Sequence, residues 1–187
     1  MAAWLLLLLS HTTDAATTNP PWKNNEYLMM QNITQVIGVD ETTYYVYEGI
    51  FDINILVQKR VFCLILRMSS FDVFMKETIA YRKYKEEMEQ KRPEDLSLYL
   101  QLQRDSEYNV DNYMAVNDEY FMEVLAKMYL VYTDYSTCAL FNYDEKDDYE
   151  LWLYQKPKPD DIASACELLL ALLSDKPRNV HYTNDCS

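Results

Sequence analysis

The run Tyr149-Glu150-Leu151-Trp152 sets one acid among aromatic side chains, and strand alternation decides what that acid can do. On an extended segment Glu150, Trp152 and Tyr154 share one face, and Leu151 and Leu153 share the other. A carboxylate in an apolar cavity is costly unless paired. An ammonium group relieves that cost, and aromatic faces add cation–π attraction of about 0.5–2 kcal/mol each. The Glu150/Trp152 face therefore suits a small cationic ligand if it points inward. Periodicity alone leaves the direction open, because Glu150 at a solvated rim and Trp152 in ordinary packing fit equally well. Catalysis has no comparable set of residues. His181, near the tail, reads as a surface or tail-packing residue, and there is no Gly-rich phosphate loop, nucleophile elbow or metal-ligand spacing. Neither an enzyme, a cofactor nor a metal site is expected.

The elements around this run are mostly strands. Thr42–Phe51 and Arg60–Leu66 are rich in β-branched and aromatic residues, Phe71–Tyr81 alternates weakly, and Leu96–Leu102 alternates cleanly. Asn109–Val116, Glu119–Lys127, Met128–Asp134, Cys138–Tyr143 and Tyr149–Gln155 follow. Eight or nine short strands fit a sandwich or a closed barrel. Lys83–Glu94 reads as a helical turn, a mobile connection or a solvated hairpin extension. Trp22–Gln31 reads as a short entry helix. After Pro157 and Pro159 a helix is predicted over Asp160–Leu173, capped by Asp160 or Asp161. Its apolar stripe is Ile162, Ala165, Cys166, Leu169, Leu172 and Leu173, so Cys166 faces the sheet.

The first residues read as a secretory signal peptide. The Leu5–Leu9 run is too short to span a bilayer, and Ala15 or Ala16 precedes the expected cleavage. Residues 1–16 are taken as the leader and 17–187 as one domain. Four Cys in a secreted chain argue for two disulfides, with three pairings open. Asn32-Ile33-Thr34 is a glycosylation sequon. A net charge of −13 argues against nucleic acid and anionic membranes and favours cationic ligands, although solubility alone accounts for much of it. Seventeen Tyr and only two Gly indicate a globular, aromatic-rich core.

Tyr149-Glu150-Leu151-Trp152, Cys138 before it, Cys166 in the following helix and the closing Cys186 together resemble the tick histamine-binding family of salivary lipocalins. Trp22-Lys23 and Tyr44-Tyr45 followed by Cys63 are similar to that family's earlier blocks. The resemblance implies an all-β fold: an eight-stranded antiparallel lipocalin-like barrel with a C-terminal α-helix packed outside and a short N-terminal helix. It also implies the disulfides Cys63–Cys186 and Cys138–Cys166. It further implies a secreted, monomeric, ligand-sequestering protein of tick saliva that suppresses host defence. The expected ligand is a biogenic amine, histamine or serotonin. A leukotriene, thromboxane or cholesterol, or a surface-acting immune modulator, are the alternatives. The implied ligand set is Glu150, Trp152 and Tyr44, with Phe51 and Asn54 at two further lining positions. This chain carries Phe51, Asn54, Val57 and Ala139 where amine binders carry Tyr, Asp, Trp and an acid. Asp40, Glu48 and Asp52 are the acids left to compensate. A lipid carboxylate would want a basic residue inside, and Arg67 is the candidate.

Overall fold

The computed structural model describes residues 20–23, 25–120, 123–158 and 163–186. The leader and its cleavage site lie outside the described residues. A 3-10 helix at Asn25–Met30 leads into α1 (Thr34–Ile37), and α2 (Ala165–Leu173) follows the last long strand. The strands are β1 (Thr43–Gly49), β2 (Phe62–Met68), β3 (Glu77–Lys85), β4 (Glu94–Gln103), β5 (Tyr113–Asp118), β6 (Val124–Thr133), β7 (Cys138–Tyr143), β8 (Tyr149–Leu153) and β9 (Asn179–Val180). Strands β1 to β8 pair antiparallel in one meander, and β1 returns to pair with both β8 and β2, so the sheet closes into an eight-stranded barrel.

Alternation sorts the residues into two cores. Tyr44, Leu66, Leu98, Met114, Phe141 and Trp152 belong to the interior cluster, and α1 adds Val36 and Ile37. Outside the wall, Leu151 packs with Cys166, Leu169 and Leu170 of α2, with Leu153 and Leu173 at the edge. The disulfide Cys138–Cys166 fixes α2 to β7, and Cys63–Cys186 ties the tail to β2.

The local differences from expectation have simple causes. The predicted caps Asp160 and Asp161, and Ile162 of the stripe, lie outside the described residues. The helix begins after Ser164, whose hydroxyl accepts the Glu167 N–H while the Glu167 carboxylate accepts the Ser164 N–H. Its buried face carries Leu170, and Leu172 is half exposed. Glu119–Lys127 and Met128–Asp134 are not two strands, because β6 runs unbroken through Lys127 and Met128. In the Phe71–Tyr81 segment, the Asp72 carboxylate accepts the N–H groups of Phe74 and Met75, which makes a turn of residues 72–76 and delays β3 to Glu77. Lys83–Glu94 is a hairpin, with β3 and β4 paired out to Tyr84 and Glu94.

Candidate functional site

Because β8 buries Leu151 beneath α2, Glu150 and Trp152 face the barrel interior, where both are fully buried. Glu150 is not free there. Arg82 on β3 reaches it from across the interior, with Nη2 2.5 Å from Oε1 and Nη1 3.3 Å from Oε2. Trp152 Nε1 donates to Oε1 at 2.6 Å, Tyr143 Oη to Oε2 at 3.0 Å, and Asn54 Nδ2 to Oε2 at 3.4 Å. Five donor atoms thus converge on a group with about four lone-pair sites, so the carboxylate's acceptor capacity is filled. Burial pushes the Glu150 carboxyl up, but the Arg82 charge and the donated hydrogen bonds outweigh it and hold the group below its ordinary value. Burial also opposes charge on Arg82, and Glu150 more than compensates.

The capacity left over on the Arg82–Glu150 pair is of the opposite kind. Arg82 Nε has no protein partner, and a guanidinium has only donors to offer. Around the pair the wall is apolar: Leu56, Leu66, Leu98, Leu100, Met114 and Met128 border about 170 Å³ of gaps too narrow for a water molecule. A wider groove of about 580 Å³ runs along the outer wall past Leu153, Pro157 and Tyr182. It lies away from the interior charges.

The connection between β1 and β2 covers the mouth. Its Phe51, Asn54 and Leu56 are buried, with Asn54 fully enclosed. Asn54 Oδ1 accepts the N–H groups of Leu56 and Val57, which curls the segment inward. On the surface Lys59 pairs with Glu86 of the β3–β4 hairpin.

A second feature of the mouth comes from the tail. β1 and β2 pair only over Thr43–Tyr45 with Ile65–Arg67. Beyond that they part, and the tail fills the seam: β9 pairs with Glu48 and Gly49, His181 N–H donates to Tyr47 O, and Cys63 N–H donates to His181 O. Cys63 adopts a left-handed conformation (φ 53°) at the β2 irregularity between Phe62 and Ile65. Gly49 makes room for the ring, since a Cβ there would sit 2.9 Å from His181 Nε2 and 2.8 Å from Phe51 Cζ. The imidazole stacks on Phe51 at 5.5 Å, and Phe51 in turn meets the edge of Tyr143 at 5.9 Å. His181 is therefore packed by the tail into the barrel wall, not left on the surface.

The structure brings Glu150, Trp152, Phe51 and Asn54 together. Tyr44 lies deeper, its ring 5.5 Å from Trp152 and its hydroxyl donating to Val36 O, which closes the floor against α1. None of the compensating acids is inside. Asp40 and Asp52 are exposed, and Glu48 faces outward to Arg178 at 3.2 Å. Arg67 is exposed, and the interior base is Arg82 instead. Sequence reasoning missed Arg82, Tyr143 and the inward His181. The usable signal for Arg82 was its parity with Thr78, Ala80 and Tyr84, blurred by Ile79 and Tyr81 on the other face. Asn32 of the sequon is half buried, and its N–H donates to Tyr135 Oη.

A meander closed into eight strands, with a helix on the wall and an enclosed interior, is a lipocalin-like barrel. The sequence matches the family model described as tick histamine binding protein over residues 22–187, and the chain belongs to that family. No curated protein sequence matches it. Solved structures share the fold at low identity. The AM182 serotonin complex has a TM-score of 0.60 at 11% identity, covering 94% of this chain and 98% of that one. Japanin from Rhipicephalus appendiculatus, bound to cholesterol, has a TM-score of 0.53 at 11% identity, covering 77% and 93%. Apocrustacyanin C2 has a TM-score of 0.52 at 14% identity, covering 77% of each chain.

Proposed function

We propose that this protein sequesters a largely apolar host mediator inside the barrel, with an oxygen-bearing head group meeting Arg82. The observation that carries this reading is the Arg82–Glu150 pair. A protonated amine brings donors and a positive charge, whereas Glu150 already has both from Arg82. The spare capacity on the pair itself is a donor, Arg82 Nε, which asks for a carboxylate, carbonyl or hydroxyl oxygen. The tail of the ligand would lie along Leu66, Leu98, Leu100 and Met114, replacing Leu56 as the β1–β2 connection swings outward. Met68, Met114 and Met128 are unbranched and can repack around it.

Acting from tick saliva as a secreted monomer, such a protein would lower the free concentration of the mediator and blunt host inflammatory defence. Two disulfides suit an oxidising compartment.

An amine is the second reading, favoured by the aromatic rings of Trp152, Phe141 and Tyr44 beside Glu150. It requires Arg82 to surrender the carboxylate. The fold neighbours bound to serotonin and to cholesterol are compatible with either class. Native mass spectrometry of the secreted protein, followed by calorimetry with arachidonate, cholesterol, histamine and serotonin, tests the choice. A co-purified lipid or lipid binding without amine binding supports the proposal. Binding of serotonin or histamine alone overturns it.

A further inference from the structure

Six buried side-chain atoms among the described residues have no protein hydrogen-bond partner, and two of them, Arg82 Nε and His181 Nε2, belong to residues whose charges act on Glu150. Their residues are 1% and 4% exposed. Buried polar atoms are nearly always paired, so two orphans in one cluster call for a reason. His181 Nδ1 faces the Val61 carbonyl at 3.4 Å, and a carbonyl can only accept. In the neutral ring Nδ1 therefore carries the proton and Nε2 a lone pair.

The charged groups acting on the ring are Glu150 from β8 and Arg82 from β3. Its other neighbours, Gly49 at the end of β1 and Phe51 of the connection, are neutral. Burial lowers the proton affinity of His181, the Glu150 charge raises it and Arg82 lowers it, and the balance leaves the free ring neutral. A carboxylate arriving at Arg82 changes this. The existing pair is neutral, so the new group leaves one uncompensated negative charge. A proton on His181 cancels that charge and converts Nε2 from acceptor to donor. Phe51 stacks on His181 and meets Tyr143, so withdrawal of the β1–β2 connection uncovers the imidazole and the guanidinium together.

Resting on the reading given above, we propose that the ligand is a long-chain acidic lipid whose carboxylate is held between Arg82 Nε and His181 Nε2, and that binding it takes up one proton at His181. The proton comes from solvent and returns there on release. Mild acidity thus tightens the hold and alkalinity loosens it.

The test is a fluorescence titration of the full chain with a polyene fatty acid and with the matching fatty alcohol, from pH 8 to pH 6. Calorimetry in buffers of different ionisation heat counts the protons taken up. The affinity for the acid should rise as pH falls, by up to about tenfold per pH unit, the limit for one linked proton. The alcohol should show no such rise, and His181→Asn should flatten the response to the acid. Equal and pH-independent binding of acid and alcohol overturns this proposal while leaving the apolar-mediator reading intact. Binding of neither at any pH overturns both. The alcohol comparison uses the unmodified protein, so it stands even if His181→Asn folds poorly.

Discussion

Arg82 on β3 and Glu150 on β8 meet inside the barrel with Nη2 2.5 Å from Oε1, both side chains almost fully removed from solvent. Their strands are far apart in the meander, so the pair spans the interior and does not brace neighbouring strands. The pair is electrically neutral, and its own spare hydrogen-bond capacity lies on the arginine, at Nε.

Breaking the pair should cost far more than replacing it. Arg82→Met leaves Glu150 buried beside neutral donors, a change that typically costs about 3–5 kcal/mol. Arg82→Met combined with Glu150→Leu removes both charges and should recover most of the loss. Urea denaturation of the two single variants and the double variant gives the coupling. Additive losses would show that the two charges do not depend on each other.

Stability should fall on acidification in two steps. His181 is held below its unfolded value of 6.5 by burial, so the unfolded chain binds its proton first. The stability linked to the neutral ring is full above 6.5 and is lost as pH drops through that value toward the lower folded one. Glu150 contributes its share above its unfolded value of 4.5 and loses it as pH falls through its lower folded value. In ligand-free protein the decline between pH 7 and 5 should shrink in His181→Asn, as read by thermal melts at each pH. An unchanged decline would place the titrating group elsewhere.

Gly49→Ala should open the seam. Its Cβ would lie 2.8 Å from Phe51 Cζ and 2.9 Å from His181 Nε2, and both rings are packed on their other sides. Overpacking of this kind costs about 1–3 kcal/mol. Faster hydrogen exchange should appear at the His181 and Cys63 amides, which bridge the seam. Wild-type exchange there would mean that the rings yield without strain.

Helix α2 separates two leucines cleanly. Leu169 is buried against the wall beside Leu151, and Leu172 is half exposed. Leu169→Asp removes burial worth about 1.5–3 kcal/mol and inserts a charge, so secretion or melting temperature should drop sharply. Leu172→Asp should be nearly silent.

Individual strands were legible in the sequence, while their count left sandwich and barrel both open and only the family resemblance implied the barrel. Leu96–Leu102 and Cys138–Tyr143 fall inside or on β4 and β7, and Glu150 and Trp152 lie opposite Leu151 and Leu153 on β8. The helix start at Ala165 was not singled out because Ser164 offers the same capping chemistry as Asp160 and Asp161, and its Glu167 partner three residues on went unread. Arg82 was hidden because its strand carries apolar residues on both faces, and a closed barrel brings β3 to β8 only in three dimensions. His181 read as tail because no local pattern announces that a two-residue strand will fill a seam left by β1 and β2.

The most direct measurement is the binding of arachidonate and of serotonin to the wild type, Arg82→Met and Glu150→Gln by titration calorimetry. The account predicts that the wild type binds arachidonate and not serotonin, and that Arg82→Met weakens arachidonate by more than tenfold, as loss of a buried charge partner worth about 2–5 kcal/mol requires. Serotonin binding by the wild type that disappears in Glu150→Gln would contradict it, showing that the carboxylate belongs to the ligand and not to Arg82.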